Sequence, residues 1–480
     1  MSATAVSENG RRKTHRTKVH YCVPTTDEGR KFKTELRGSD GGYLFIMDVP
    51  IAFVFPDSHI DETALKTALE KTLDVFPVAA SRLVGYTLYG HFQFSCVKSR
   101  GARLEFETVS SSHASNGKLP TETDPAKSWN RFFVKTTFRP LWVPKRMPLL
   151  SARLTTFESG GCVLAVSFAH VLADGAAILH FMKTWSHLCG LEAGASVMLP
   201  AEMPLQPVLD RSIQEKKPSG MNVRHLRKEK YSNIRTLSTS VVLVTHMKTD
   251  EMADFRLSVE HVARIKQTLS AQLEKPKWIS SYEAIMAVLL RALAMADRRK
   301  EMTCRAIVNI RGRTPLVPKE YFGNALSYHA FTFKNEGEIS TTAFEFHESL
   351  RAGLEQVDDL NRPHFAGKHF ISDGLIKSKT ILEHVGFTKP FFDSVSRGDP
   401  VVNSWVGFDW FNIDFGLGGT APRFLRVATS FRNHRHVHVY PSNAEGEMMV
   451  RMQLPRRTME AFRRAVDALG FADCFVEVRG

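Results

Sequence analysis

A glycine pair, a short apolar run and a helix start, packed within thirty residues, constrain this chain more than any other stretch. Gly160-Gly161 precedes Val163 to Phe168, which is apolar except for Ser167. Six residues are too few for a helix, and a run without alternation reads as a strand buried on both faces. Asp174 to Leu188 then reads as a helix, with Ala177, Ile178, Phe181, Met182 and Trp185 on one side. His170 sits between the two, where strand, loop and helix meet. A neutral imidazole there can act as a general base, and it can equally be a satisfied core residue. Asp174 is a good N-cap, and Gly175 permits close backbone approach.

The rest of the 480 residues sets the frame. That length is too great for one simple core, so two domain-sized units are expected. Hydrophobic residues make up 43% and charged residues 24%, an ordinary soluble balance that excludes collagen-like, coiled-coil and wholly disordered chains. The net charge of +14 admits nucleic acid, an acidic membrane surface or a polyanionic small molecule as partners. Its distribution narrows that choice. Residues 1–20 carry five Lys/Arg against one Glu, and Arg211 to Arg235 carry eight against two. Tyr231 is the only Phe, Tyr or Trp in the second stretch, so it reads as a solvated loop rather than a nucleic-acid patch. No nucleic-acid partner is expected. The six cysteines, Cys22, Cys96, Cys162, Cys189, Cys304 and Cys474, include no CxxC pair, which fits free thiols in a reducing compartment. The N-terminus lacks an apolar h-region, and no stretch of 18 apolar residues occurs. A soluble cytoplasmic protein is expected, with the basic N-terminus leaving an organelle address open.

The pattern divides the chain into a disordered basic tail over 1–18, a first half over 19–190, a connection over 191–235 and a second half over 236–480. Asp61 to Asp74 has helical spacing at Ala64, Leu65, Ala68, Leu69 and Leu73. Leu191 to Arg235 lacks periodicity and holds Pro200, Pro204, Pro207, Pro218 and Gly220. Ser280 to Ala296 reads as a helix whose Ser280 and Glu283 form a capping box. Ala306 to Asn309 reads as a strand end, short strands surround Ser404 to Phe415 and Val437 to Leu454, and a helix covers Thr458 to Leu469. Strands and helices mix without a regular βαβ repeat, which places the chain in an α/β class with mixed sheets.

Several chemistries lack an anchor. There is no G-x-S-x-G elbow, no HExxH and no P-loop. Gly416, Gly418 and Ala421 give only GxGxxA spacing without βαβ context. A base at His170 would therefore activate the substrate's own hydroxyl or amine, with no covalent enzyme intermediate. His434, His436 and His438 alternate along a strand and share a face. No Cys or acid cluster joins them, so an outward polar strand is the reading favoured over a metal site, and no metal is expected.

The ordered motifs resemble the BAHD acyltransferases, which move acyl groups from coenzyme A thioesters to alcohols or amines. His170 to Gly175 is similar to that family's HxxxDG motif. Asp414-Phe415-Gly416-Leu417-Gly418 is similar to its DFGWG motif, with Leu417 in place of Trp. Phe76 to Leu83 and Tyr321-Phe322-Gly323-Asn324 are similar to its early helix-end and YFGN segments. The resemblance implies two similar-sized α/β halves of chloramphenicol-acetyltransferase-like architecture, joined by the crossover, with a channel between them. It implies His170 as the base and Trp405 of Asn403-Ser404-Trp405 as an oxyanion donor, where simple aromatic packing is the alternative. Asn403 stands where Thr is common. It implies that Asp174 turns from the cleft to pair with an arginine, for which Arg311 is the candidate, and that Asp414 and Gly416 shape a remote turn. Ser258 and Lys266 match positions near the nucleotide end of coenzyme A, and a solvated helix lysine is the alternative for Lys266. Acyl-CoA is then a co-substrate rather than a bound cofactor, and the partner is a small alcohol or amine met by a monomer. Condensation-type enzymes of the same fold carry a second histidine where this chain has Ala169. A non-catalytic binding protein on the same fold remains the other alternative.

Overall fold

A computed structural model describes residues 15–36, 40, 48–85, 92–110, 117–124, 128–134, 147–194, 205–211, 250–313, 317–358, 398–427 and 435–478. The first sheet has six strands in the order β1 (His15–Cys22), β6 (Ala102–Val109), β7 (Leu150–Phe157), β8 (Cys162–Phe168), β3 (Val49–Phe55) and β13 (Phe424–Val427). Only β6 and β7 run parallel in it. A small sheet, β2 (Lys33–Glu35), β5 (Phe92–Ser95) and β4 (Arg82–Gly85), lies in the same half.

Strand β8 explains why its sequence does not alternate. Cys162, Leu164, Val166 and Phe168 join the core under α2 (Glu62–Val75) and α3 (Gly175–Glu192), while Val163 and Ala165 face Trp129 and Phe132 on the other side. Both faces are covered, so no position tolerates a charge. Helix α2 is capped by Asp61, whose carboxylate accepts from Ala64 N at 2.7 Å. Its apolar stripe is buried, and Trp185 Nε1 on α3 donates to Leu65 O at 3.0 Å.

The second sheet has seven strands in the order β11 (Leu326–Lys334), β10 (Glu301–Asn309), β12 (Val401–Ser404), β14 (His436–Pro441), β15 (Met448–Pro455), β9 (Asp250–Leu257) and β16 (Val476–Glu477). Val437, Val439, Val450 and Met452 on one face pack in a core with α4 (Val259–Ala271), α5 (Ser281–Ala296) and α7 (Arg456–Ala468). The short α1 (Asp27–Lys31) and α6 (Ile339–Asp358) complete the helices used below. The Ser280–Glu283 capping box is formed: Glu283 N donates to Ser280 Oγ at 3.3 Å and Ser280 N to Glu283 Oε2 at 2.6 Å.

Three expectations are corrected. The tail over 1–18 is too long, because β1 begins at His15 and pairs along its length with β6. Its outer face stays exposed at Val19 and Tyr21, so Lys18, read as part of a tail, belongs to an edge strand. The division into halves at 190 and 236 also leaks. β13 comes from the second half yet pairs with β3 of the first, Phe424 opposite Val54 and Val427 opposite Ile51. Four residues bonding to a strand about 370 positions earlier leave no local signature. Arg211 is not in a solvated loop. It is 1% exposed and ion-paired with buried Asp40, donates to Leu172 O at 3.2 Å, and stacks over Phe94 at 4.6 Å. Most of the remaining crossover, with the rest of the basic stretch over 212–235, lies outside the described residues.

All six cysteines are buried and form no disulfide. Among the described residues no helix is long and apolar enough to cross a membrane, and no group of three or more His, Cys, Asp or Glu could hold a metal ion.

Candidate active site

Strand β8 ends by handing Ala169 N to Leu149 O at 2.8 Å, and a tight turn follows in which Leu172 N donates to Ala169 O. His170 lies on this turn. Four residues on, Asp174 caps α3 with its Oδ1 accepting from Ala177 N at 3.1 Å. Its Oδ2 accepts from Arg311 Nη1 and from Ala325 N, both at 2.8 Å. Arg311 is consumed in turn, donating to Tyr321 O at 2.8 Å and Gly323 O at 2.7 Å. Asp174 is therefore a buried tie between the halves, with both oxygens committed away from the imidazole.

Asn324 orients His170. Its amide Nδ2 donates to Asp40 Oδ1 at 2.7 Å and to His170 O at 2.8 Å, and its backbone N also donates to Asp40 at 2.8 Å. A carboxylate and a carbonyl can only accept, so the amide nitrogen must face them. The amide oxygen then faces His170 Nδ1 at 3.1 Å, and the proton must sit on Nδ1. This leaves Nε2 with its lone pair. Burial pulls the His170 pKa below its ordinary value, against weaker opposing pulls from its own backbone, Asp174 and Asn324, and so keeps the ring neutral.

Trp405 lies directly over the start of α3. A Cβ added to Gly175 would fall 2.7 Å from the indole Nε1, so only glycine fits there. The indole is 6% exposed, and its N–H has no acceptor among the described residues. Its ring meets Trp410 at 5.1 Å and His438 edge to face at 4.5 Å. Asn403, two residues before, is opposite His438 in the parallel β12–β14 pair.

The second motif closes on the other end of α3. Asp414 N and Phe415 N donate to Ser186 Oγ at 3.0 and 2.9 Å. The Asp414 carboxylate accepts from Gly416 N and, at 2.7 Å, from Gly419 N. Gly416 has φ +85° and would press a Cβ 3.2 Å from Gly190 Cα. Asp414 thus meets the helix at Ser186 and Gly416 at Gly190, about 16 and 22 Å along the axis from the start of α3.

Ser258 caps α4, its Oγ accepting from His261 N at 3.3 Å and lying 2.6 Å from Glu260 Oε2. Lys266 is exposed on the same helix. The structure does not join these two to the His170 cluster. The histidine strand is corrected as well: His438 is 2% exposed and His436 half-buried, so β14 is interior rather than an outward polar strand. Its Cα partners Asn403 and Arg451 place it mid-sheet, which its charged neighbours in sequence concealed. His434 lies outside the described residues. Asp40 and Arg211 were not legible as site residues. The Tyr321 to Asn324 segment was legible only as a family-like motif, and nothing in it marked Asn324 as a partner of the histidine.

A family model described as the Transferase family matches residues 23–469. The chain belongs to this family, the BAHD acyltransferases. As a BAHD chain it is similar to the (Z)-3-hexen-1-ol acetyltransferase of Arabidopsis thaliana, 26% identical over 331 residues, covering 66% of this chain and 64% of that one. It is also similar to the hydroxycinnamoyl-CoA:5-hydroxyanthranilate N-hydroxycinnamoyltransferase HHT4 of Avena sativa, 23% identical over 334 residues, covering 66% and 68%. The matched stretch thus spans about two thirds of these relatives' own length. The fold is similar to that of F. graminearum TRI101, solved with coenzyme A and T-2 mycotoxin, at 14% identity and TM-score 0.65 over 93% of this chain and 100% of that one. The α/β architecture, mixed sheets with flanking helices, is that of the BAHD fold.

Proposed function

We propose that this chain is an acyltransferase that moves an acyl group from a coenzyme A thioester to a hydroxyl or amine of a small molecule, with His170 as general base. The observation that carries this is the Asp40–Asn324–His170 chain of hydrogen bonds, which fixes the proton on Nδ1 and leaves Nε2 a neutral base. Nε2 takes the acceptor's proton as its oxygen or nitrogen attacks the thioester carbonyl carbon. The carbonyl π electrons move to oxygen, and the indole N–H of Trp405, with Asn403 beside it, donates to that oxyanion. The intermediate collapses, the C–S bond breaks, and the proton on Nε2 passes to the departing thiolate. Asp174 takes no proton in this scheme, since both its oxygens are committed to structural bonds.

No enzyme nucleophile is needed. Burial pushes the Cys22, Cys189 and Cys304 thiols up to about 12, so none offers a thiolate near neutral pH. The phosphates of coenzyme A would meet Lys266, with Ser258 already engaged by its cap. The six buried thiols suit a cytoplasmic enzyme, working as a monomer.

The test is release of free thiol from a panel of acyl-CoAs mixed with alcohols and amines, with products identified by mass spectrometry. An acylated acceptor formed in step with thiol release is expected. No release above the acceptor-free control with any pair would overturn the reading.

A further inference from the structure

Beside Asn403 the second sheet carries a row of side chains: Asn403 opposite His438, His438 opposite Arg451, and Arg451 opposite Asp254. Residues directly opposite in a sheet project from one face. The neighbouring Val437, Val439 and Val450 face the helices, so this row faces the first half. At its far end the polar atoms are satisfied. Arg451 Nε donates to Asp254 Oδ1 at 2.6 Å, and Arg426 of β13 reaches the same carboxylate at 2.8 Å.

His438 is the exception. Its Nε2 is buried with no hydrogen-bond partner among the described residues, in a side chain 2% exposed. Its ring stands edge to face on Trp405, 4.5 Å away, and Trp405 overlies Gly175. On the other side of that cluster Trp410 Nε1 is also buried without a partner among the described residues. A buried polar atom left unpaired is costly, and natural folds keep few of them without a use. A metal is not that use, since no group of three ligands surrounds it among the described residues.

We propose that His438 Nε2 is a substrate contact that hydrogen-bonds a second oxygen function of the acceptor, so that the preferred acceptor is a polyoxygenated molecule rather than a simple alcohol. This rests on the acyltransferase reading, which gives the reacting hydroxyl to His170 and the thioester oxygen to Trp405. Those assignments leave Nε2 of His438 for a further polar group. Burial, with His436 and Arg451 nearby, holds the His438 ring neutral. A neutral imidazole nitrogen either donates to or accepts from a hydroxyl, so a second hydroxyl satisfies both tautomers. A site built around such a contact rejects analogues lacking the group, because the buried nitrogen then stays unpaired.

The experiment uses the full chain with acetyl-CoA and matched acceptors: cyclohexanol against the cyclohexanediols, and hexan-1-ol against the hexanediols. Wild type is expected to favour at least one diol over its monool by about 10-fold or more in kcat/KM. His438→Phe keeps a ring against Trp405 and should lower that ratio about 10- to 100-fold, mainly through KM, with His438→Gln recovering part of it. An H438F protein that keeps the wild-type ratio overturns the proposal. So does a wild type with no diol preference, which decides the matter even if H438F fails to fold. A defect that follows an oxygen on the acyl group, with malonyl-CoA against acetyl-CoA, overturns it too. No thiol release by wild type with any acceptor removes the acyltransferase reading itself, and the proposal with it.

Discussion

At the N-terminal end of α3, Asp174, Gly175 and Trp405 bring the second half against the helix beside His170. At its C-terminal end, Asp414 to Gly416 bring the same half against Ser186 and Gly190. Both are motif-bearing contacts between the halves, and both use a carboxylate that accepts backbone N–H groups. They differ in what they leave over. Around Asp414 the carboxylate and the Ser186 hydroxyl each accept two N–H groups. Around His170 the ring is held through Nδ1, which keeps Nε2 as the basic nitrogen, and the indole N–H of Trp405 meets no acceptor among the described residues. A structural joint exhausts its hydrogen-bonding groups, whereas a reactive site holds some back for a ligand.

That contrast breaks first at His170. His170→Ala should lower turnover about 10²- to 10⁴-fold, read as thiol release, while leaving the melting temperature near wild type. Equal turnover would erase the distinction between the two ends. Arg311→Ala should cost about 3–5 kcal/mol of stability, because it strips the main partner from buried Asp174. Urea denaturation measures this, and wild-type stability would remove the tie at the N-terminal end. Ser186→Ala leaves two buried N–H groups without an acceptor and should cost about 2 kcal/mol, with turnover per folded molecule preserved. A lower kcat in folded S186A would show that the C-terminal joint shapes the chemistry after all.

The mildest effect is one of pH. Burial lowers the pKa of His170, His180, His329, His436 and His438 in the fold, His436 to about 4. The unfolded chain, with histidines near 6.5, then binds more protons than the fold between those values. Stability should be full above pH 6.5 and fall as pH drops toward 4. The acid limb of kcat/KM should lie below 6.5, where His170 gains its proton. A melting temperature flat from pH 7 to 4, or an activity midpoint above 6.5, would contradict these shifts.

What could be read from the sequence was local. The β8 run, the Asp174 cap on α3 and the Ser280 box are set within a few residues, and the structure shows each within one to four residues of its expected bounds. Arg311 was reached by family resemblance, not by any pattern around it. The missed groups act across the fold. Arg211 looked solvated because its stretch is basic, yet its partner Asp40 lies 171 residues earlier. His438 looked exposed because histidines alternate there, while Trp405, just past the end of another strand, packs against its ring. Burial of a polar group depends on partners that its neighbours in sequence do not announce.

The exchanged strand β13 has a consequence for how the chain is made. During synthesis β3 and β8 emerge early, but the edge of β3 that receives Phe424 to Val427 waits for about 370 more residues, on the order of tens of seconds on the ribosome. For that interval the nascent first half shows an apolar, unpaired sheet edge, the feature by which incomplete chains stick to one another. A product truncated before residue 424 would therefore be an aggregating fragment rather than a smaller folded protein, and chaperone demand during expression should track the second half as closely as the first.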